Sequence, residues 1–257
     1  ISAGRKWRAA MCALGFLYDD YGKLQGQIGK LDYITPSGNN LIKAESLAAQ
    51  QECYLRALSG RRLDKTTLNK QRNASHRDFS PMCHVLGILS AIQEQENKPG
   101  VSLIEFELFI QTTTDSNDLE HIVTEILSFR SQRLKAQNKK GFDTEKREEH
   151  RQRVFELGEN PLTPQTYRDY GDMNLRYLRA TGLFGPYTGR GILLKSDTKS
   201  SLIKGLLAEQ QVFKDDVTYW KNLTNSPTLP IDKKDIASVI GKGGATIREI
   251  VEKSGAK

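Results

Sequence analysis

The chain has 257 residues, of which 37% are apolar and 27% charged, and its formal net charge is +7. This composition excludes a disordered chain, and no apolar run reaches the roughly 20 residues that a membrane-spanning helix needs. The positive charge favours a polyanionic partner, usually a nucleic acid, but it carries no information about the fold. We therefore expect no membrane partner.

The cysteines and histidines give little sign of a metal site. Cys12, Cys53 and Cys83 lie far apart without a CxxC pair, which fits a reducing compartment and argues against disulfides or a zinc finger. His76 and His84 lie near Cys83 in "HRDFSPMCH", but no fourth ligand is evident. We therefore predict no metal site in this chain.

The first 60 residues predict a helix, a hairpin and a second helix. Residues 4–17, "GRKWRAAMCALGFL", form a basic amphipathic pattern that ends near Gly15. The next stretch, "YDDYGKLQGQIGKLDYITPSG", combines glycines with short apolar alternation, as in a small hairpin. "NNLIKAESLAAQQECYLRAL" then predicts a helix with asparagine as its N-cap.

The middle of the chain predicts three consecutive helices. Ser80 is the expected N-cap of the first helix, with Pro81 at its first position. "SLIEFELFIQTT" predicts a short apolar helix. "SNDLEHIVTEILSFRSQRLKAQ" places apolar residues at 119, 122, 123, 126 and 127, on one face of a helix. Three such helices also suit a helix-turn-helix core.

Residues 174–208 repeat the order of elements of the first segment. "NLRYLRATGLF" predicts a basic helix ending at Gly182, "GPYTGRGILLKSD" a turn and short strand, and "TKSSLIKGLLAE" a capped helix. The two copies align Gly15-Phe16 with Gly182-Leu183, and "NNLIK" with "SSLIK". Helix, two-stranded wing and helix is the layout of a winged helix, which places a helix in the DNA major groove. A plain repeat of helical hairpins without a ligand is the alternative.

The tail contains a glycine-rich turn between two apolar helical patterns. In "PIDKKDIASVIGKGGATIREIVEKSGAK" the turn is formed by Gly241, Lys242, Gly243 and Gly244, where glycine lets a backbone approach phosphates closely. The stretch resembles the nucleotide-clamping loop of the KH domain of polynucleotide phosphorylase. Because a KH fold also needs a strand that would follow "SGAK", we expect the tail to bind little RNA or single-stranded DNA by itself.

These patterns predict a mostly α fold with small β wings. The predicted subdomains are a winged-helix-like segment at 1–75, a helical helix-turn-helix-like segment at 76–160, a second winged-helix-like segment at 161–230 and an incomplete KH-like αα segment at 231–257. The chain begins with Ile1 and stops in mid-pattern at Lys257, so we expect it to be a fragment of a longer protein.

Several blocks of the sequence resemble the AlwI family of type IIS restriction and nicking endonucleases. They are the opening "ALGFL" with "YITPSGNNL", then "FSPMCHVLGIL" (79–89), "HIVTEILSFRSQRLKAQNKK" (121–140), "LRYLRATGLF" (175–184) and "WKNLTNSPTLP" (220–230). The similarity is collinear from residue 4 to residue 230. It implies a modular bacterial cytoplasmic enzyme whose N-terminal part recognises a short asymmetric duplex site through winged-helix-like subdomains.

The same resemblance implies a separate C-terminal nuclease domain with a PD-(D/E)xK centre that uses Mg²⁺. Such chemistry needs two or three carboxylates and a lysine around the metal ion. "KDDVTYWK" (214–221) has two aspartates and two lysines but reads as a helix. We therefore predict no catalytic residue and no cofactor in this chain, with Mg²⁺ and a nuclease domain or subunit expected in the full-length enzyme.

The function we expect is sequence-specific recognition of double-stranded DNA. The basic helices at both copies supply the residues expected to reach the major groove: Arg5, Lys6, Arg8, Arg176 and Arg179. Residues 130–153 contain nine Lys or Arg against four acidic residues. This run supplies the residues expected to contact phosphates: Arg130, Arg133, Lys135, Lys139 and Lys140.

Two other functions fit parts of the sequence. An RNA- or single-strand-binding protein would use the KH-like tail as its active module. A winged-helix transcriptional regulator would bind DNA with no enzyme attached. A short gene together with a two-fold operator would support the regulator, and a carboxylate-rich nuclease domain in a longer gene would exclude it.

Overall fold

A computed structural model describes residues 3–18, 34–63, 78–96, 100–113, 116–156, 163–195, 200–208, 212–227 and 229. Within them the chain is mostly helical with one small antiparallel sheet, as the sequence predicts. The helices and strands are α1 (Ala3–Ala13), α2 (Pro36–Ile42), α3 (Leu47–Gly60), α4 (Pro81–Gln95), β1 (Gly100–Val101), α5 (Leu103–Glu105), α6 (Leu119–Lys135), α7 (Lys139–Arg151), α8 (Pro164–Ala180), β2 (Phe184–Tyr187), β3 (Gly191–Leu194), α9 (Ser200–Ala208) and α10 (Asp216–Thr224).

Three short irregular turns extend these helices. A π-helical turn, Phe106–Ile110, follows α5, and a second one, Gln152–Glu156, follows α7. A 3₁₀ turn, Ser116–Asp118, leads into α6. Among the helices that the structure describes, none is long and apolar enough to cross a membrane.

The chain divides into two compact units that are interleaved in sequence. Unit 1 holds the described residues up to Cys83, Ala180–Leu183 and those from Lys195 onward. Unit 2 holds His84–Arg179 and Phe184–Leu194. The interleaving arises because the β2–β3 hairpin pairs with β1, about 90 residues earlier in the chain. This division does not test the four consecutive subdomains predicted above, which stay a prediction.

In unit 1, hydrogen bonds tie the end of α1 to the start of α2. Gly15, just after α1, has a φ of +76°, which glycine adopts without steric cost. The Thr35 hydroxyl accepts from the backbone N–H of Gly38 at 3.0 Å and donates to the Gly15 carbonyl at 2.6 Å. The predicted single helix with an asparagine N-cap is therefore two helices. Its true caps are Thr35 and Ser46, because Thr35-Pro36 is the stronger start signal.

Both copies of the predicted repeat share a backbone feature in unit 1. The Phe16 carbonyl accepts a hydrogen bond from the Thr35 N–H at 3.1 Å. In the second copy, the Leu183 carbonyl accepts from the Lys195 N–H at 3.1 Å, directly after Gly182 with its φ of +79°. In each copy, therefore, the helix ends near a glycine with positive φ. The residue after that glycine then accepts a backbone hydrogen bond from the returning chain. Residues 19–33, with the predicted first hairpin, lie outside the described residues.

The core of unit 1 includes an aromatic cluster on α10. Phe213, Tyr219, Trp220 and Leu223 are buried together. Helix α10 covers residues 216–221 of the segment "KDDVTYWK" and so confirms that most of this segment is helical. Asp215 caps the helix, since its carboxylate accepts from the Thr218 N–H at 2.7 Å.

Unit 2 contains a three-stranded sheet of order β1-β3-β2, with both pairings antiparallel. The predicted "turn and short strand" is the β2–β3 hairpin. Its turn is closed by a hydrogen bond from the Gly191 N–H to the Thr188 carbonyl at 3.2 Å. Gly189 and Arg190, the two central residues, have φ of +63° and +60°. Two positive φ values in succession give the turn the twist that a tight hairpin needs.

Replacing Gly191 with alanine is expected to detach the hairpin from β1. A Cβ at Gly191 would lie 1.9 Å from the Val101 carbonyl oxygen, a backbone atom that cannot move without breaking the β1–β3 pairing. We expect a loss of about 2 kcal/mol of local stability, from one or two ladder hydrogen bonds. Faster hydrogen exchange at the Ile192 and Leu193 amides would report it. Gly189→Ala is the control. Its Cβ would contact only Ser102, at 3.5 Å, so the substitution introduces backbone strain but no clash with β1.

The helices of unit 2 follow local signals except at α7. Ser80 caps α4 by accepting from the Cys83 N–H at 3.4 Å, as predicted. The apolar face of α6 is buried at Ile122, Val123 and Ile126, also as predicted. Helix α7 was not predicted, because Phe142 is the one apolar side chain in "KKGFDTEKREEHR". Helix α8 begins at Pro164, ten residues before the predicted "NLRYLRATGLF".

Candidate nucleic-acid interface

Unit 2 contains an open cleft of about 690 Å³ beside the hairpin turn. Its walls come from the end of α6, the first two turns of α7, the segment around α5 and the turn at Tyr187–Arg190. Five cations line it: Arg130, Arg133, Lys139, Arg147 and Arg190. Three of them, Arg130, Arg133 and Lys139, belong to the set predicted to contact phosphates. The cleft therefore gathers cations from three separate elements.

Arg130 is occupied by protein groups. Its Nε donates to Glu105 Oε1 at 2.7 Å, Nη1 to Glu96 Oε2 at 2.7 Å, and Nη2 to the Gly100 carbonyl at 2.6 Å. The side chain is only 12% exposed. Burial lowers the pKa of Arg130, but the hydrogen bonds and charges of Glu105 and Glu96 outweigh it and raise the pKa above its usual value. Arg130 thus joins α4, β1, α5 and α6, in contrast to the phosphate contact predicted for it.

Arg133 is partly available. Its guanidinium holds Asp143 in a bidentate pair, with Nε–Oδ1 at 2.6 Å and Nη2–Oδ2 at 2.8 Å, and so links α6 to α7. The hydrogen bonds that Arg133 donates to Asp143 raise the pKa of Arg133. With 40% of its side chain exposed, Arg133 can still present charge to a ligand.

Three predicted lysines lie at the α6–α7 connection. Lys135 ends α6, and Lys139 and Lys140 occupy the first turn of α7. All three side chains are exposed, and within the described residues none of their ammonium groups has a hydrogen-bond or ion-pair partner. Asn138 caps α7 by accepting from the Gly141 N–H at 3.0 Å. Lysines at a helix N-terminus oppose the helix dipole, so folding alone does not account for them.

The residues predicted for the major groove lie on α1 and α8. Arg5 and Lys6 belong to α1, and their side chains lie outside the described residues. Arg8 on α1 is exposed. On α8, Arg176 is exposed and pairs with Asp172 one turn earlier at 2.5 Å, whereas Arg179 is half-buried. The KH-like loop Gly241–Gly244 lies outside the described residues.

The structure adds a group of arginines that sequence reasoning missed. Arg147 on α7 and Arg168 on α8 form ion pairs with Glu107, which lies in the π-helical turn after α5. The charge of Arg190 in the hairpin turn also acts on Glu107. Burial raises the pKa of Glu107, and the three arginines oppose that rise. We call Arg147, Arg168 and Arg190 the arginine cluster. Successive members of the cluster are 21 and 22 residues apart along the chain. Of the three, only Arg147 belongs to the basic run at 130–153 from which phosphate contacts were predicted.

Tyr167 on α8 links the segment that carries Glu107 to α7. The Tyr167 hydroxyl donates to the Glu107 carbonyl at 2.8 Å, and Gln111 Nε2 donates to the Tyr167 carbonyl at 2.8 Å. The His150 ring packs 5.5 Å from the Tyr167 ring, centroid to centroid. Burial, with a smaller effect of Arg153, lowers the pKa of His150 to about 4. His150 is therefore neutral at pH 7 and serves packing.

The described residues provide no metal centre. Among them, no three His, Cys, Asp or Glu side chains lie close enough together to hold a metal ion. The cleft carboxylates Glu96, Glu105 and Asp143 are each paired with an arginine. We therefore assign no magnesium site to this part of the chain.

Two comparisons with known proteins place the chain. A stretch of 29 residues is 86% identical to polyribonucleotide nucleotidyltransferase of Pelagibacter ubique (strain HTCC1062) and covers 11% of this chain and 4% of that enzyme. The chain thus spans a very small part of that relative. The model of the AlwI restriction endonuclease family matches residues 12–253, past the point at residue 230 where the resemblance noted above ends. The chain belongs to the AlwI restriction endonuclease family.

Proposed function

We propose that this chain recognises a short site in double-stranded DNA, as the recognition part of a type IIS restriction endonuclease of the bacterial cytoplasm. Another domain or subunit carries the cleavage. Membership of the AlwI family and the net charge of +7 support a DNA partner. The observation that carries the proposal is the cleft of unit 2, where the exposed Lys139 and Arg190 lie beside the partly exposed Arg133 and Arg147.

The sheet of unit 2 supports a winged-helix arrangement. A hairpin that follows a set of helices and pairs with an earlier short strand has the layout of a wing. In such domains a helix enters the major groove while the wing lies against the backbone. Arg176 and Arg179 on α8, and Arg5, Lys6 and Arg8 on α1, approach the bases in this proposal. One bidentate arginine–guanine pair would supply about 1–3 kcal/mol of discrimination.

The phosphate backbone is contacted by Arg133 and Lys139 in the cleft and by Lys135 and Lys140 at the α6–α7 connection. The ammonium groups of Lys135, Lys139 and Lys140 have no protein partner among the described residues, and Arg133 is 40% exposed. Phosphate contacts of this kind set the register of the protein on DNA but do not read sequence.

Magnesium belongs to the cleavage step in this proposal. A divalent ion in a nuclease domain stabilises charge on the scissile phosphate and activates the attacking water. The chain described here contributes site recognition and binds DNA without it.

A selection from a random duplex DNA library, beside a single-stranded RNA pool and at two salt concentrations, tests the proposal. We expect enrichment of one short asymmetric duplex motif, with specific binding that survives the higher salt. Sequence-specific binding loses less affinity with salt relative to non-specific binding, because base contacts release no counterions. Enrichment of single strands alone would contradict the proposal.

The KH-like tail supports a second candidate, binding of RNA or single-stranded DNA. Its support is the 29-residue match to polyribonucleotide nucleotidyltransferase and the GKGG turn. Lys242→Asp and Gly243→Asp distinguish the two candidates. Under the DNA-recognition proposal these variants leave duplex binding unchanged, and under the tail proposal they abolish binding to single strands.

A further inference from the structure

The arginines of unit 2 differ in how their hydrogen-bond donors are used. Arg130 directs all three of its nitrogens at protein oxygens. Arg151 on α7 pairs with both Glu148 and Glu156. In the arginine cluster, Arg147 and Arg168 approach Glu107 through Nε, at 3.4 Å and 3.9 Å. Within the described residues, the terminal nitrogens of these two guanidinium groups have no hydrogen-bond partner.

The cluster carries more positive charge than the fold needs. Glu107 is 5% exposed, and one arginine is enough to neutralise it. Arg147 and Arg168 both pair with it and the charge of Arg190 acts on it as well, so the three cations leave a surplus of two positive charges when Glu107 is ionised. Like charges held close together repel, so this surplus is a cost that an anionic ligand would remove. The Arg147 and Arg168 side chains are 38% and 45% exposed, which leaves them open to such a ligand.

Arg190 occupies a position that a hairpin turn alone would not assign to arginine. Its φ of +60° lies in the left-handed region, where the Cβ of a non-glycine residue comes too close to the following carbonyl oxygen. Glycine and asparagine are the usual residues at such a position. The side chain of Arg190 is exposed and lines the cleft, whereas the turn is closed by the backbone of Gly191 and Thr188. Strain of this kind concentrates at binding sites, where the side chain serves a ligand.

We infer that Arg147, Arg168 and Arg190 together bind one phosphate group, with Glu107 as the buried counter-charge that holds them around it. The planar guanidinium presents parallel N–H donors that match two phosphate oxygens, and the unused terminal nitrogens of Arg147 and Arg168 supply them. The inference rests on the proposed function for the source of the phosphate, which is the DNA backbone. The same chemistry would accept free inorganic phosphate.

The first test measures DNA affinity of the full chain as a function of salt. The variants are Arg168→Ala, Arg190→Ala and the double variant, each of which keeps Arg147 to pair with Glu107 and so leaves no buried charge alone. Each single variant is expected to weaken binding to every duplex sequence by about tenfold, since hydrogen bonds to charged groups are strong. Arg151→Ala, on α7 with similar exposure but two carboxylate partners, is the matched control and should change nothing.

The salt dependence decides whether one phosphate is shared. In a plot of log K against log salt, one phosphate contributes a slope of about 0.9. If the arginines share a phosphate, the double variant loses about 0.9 of slope, the contribution of a single phosphate. A loss of about 1.8 would mean separate phosphates and would overturn the shared site. A slope equal to that of Arg151→Ala would show that the cluster does not touch DNA.

A second arm uses inorganic phosphate with no DNA present. Phosphate, compared with chloride at equal ionic strength, is expected to raise the Tm of the wild-type chain more than that of the double variant. Such a rise with no change in the DNA slope would keep the phosphate site but assign it to a free ligand. No rise and no change in slope would overturn the inference. If the wild-type chain fails to bind any duplex, the proposed function fails, and this arm still tests the site.

Discussion

Replacing Arg130 with methionine is expected to lower the free energy of unfolding by about 3–5 kcal/mol. The change would leave Glu105, which is 7% exposed, as a buried charge without its partner. It would also free the Gly100 carbonyl and loosen the link from α6 to β1. Urea denaturation followed by circular dichroism measures the effect, and hydrogen exchange assigns it to unit 2.

Arg133→Met is the matched control for this prediction. It removes an arginine from the same helix that also makes a bidentate carboxylate pair, but Arg133 is 40% exposed. The carboxylate left behind, Asp143, is 16% exposed against 7% for Glu105, so water reaches it more readily and the expected loss is smaller, about 1 kcal/mol. Equal losses from the two variants would show that Arg130 is a surface arginine, available to DNA as the sequence suggested.

Acidification from pH 7 to pH 4 is expected to cost about 3 kcal/mol of stability through His150. The pKa of His150 is about 4 in the folded protein, against 6.5 when it is free of its surroundings. As the pH falls, the unfolded chain therefore takes up the proton first. The contribution of His150 is complete above pH 6.5 and is lost between pH 6.5 and pH 4.

The variant His150→Phe separates this effect from the titration of carboxylates. A phenyl ring can keep the contacts with Phe155 and Tyr167 but carries no proton. Its unfolding free energy should depend less on pH than that of the wild-type chain across the interval from 6.5 to 4. Parallel pH profiles for the two proteins would contradict the burial of His150. Neighbouring charges at Lys146, Glu149 and Arg153 line the same cavity and are unchanged in the comparison.

The two classes of arginine in unit 2 bear on how a DNA interface is identified. A run of basic residues in sequence contains both cations that hold the fold and cations that meet a ligand. Arg130 has its donors filled by Glu96, Glu105 and Gly100, whereas Arg147 and Arg168 keep terminal donors unused. The count of donors already filled by protein oxygens separates the two classes, because a phosphate must compete with those oxygens.

Local signals in the sequence were enough to predict the features that depend on neighbours in the chain. Ser80-Pro81 marked the start of α4, and the glycines at 15 and 182 marked two helix ends with positive φ. The apolar face of α6 followed from its spacing. Each of these depends on backbone capping, conformational freedom or periodicity within a few residues, which the sequence displays directly.

The family resemblance was also visible in the sequence, since collinear blocks need no structure to be compared. The match to the AlwI family confirms it and extends to residue 253. The finer assignment, of recognition without cleavage, stays a proposal.

Only the tertiary structure decided which cations remain free. The partners of Arg130 lie 25, 30 and 34 residues away, and β1 pairs with a strand about 90 residues later. The arginine cluster joins side chains from α7, α8 and a hairpin turn around one buried carboxylate. Helix α7 itself is formed by a segment with little apolar pattern, capped by Asn138 and packed through Phe142 against Phe129. Contacts of this kind depend on packing between distant segments, and no local rule of the sequence encodes which charge will meet which partner.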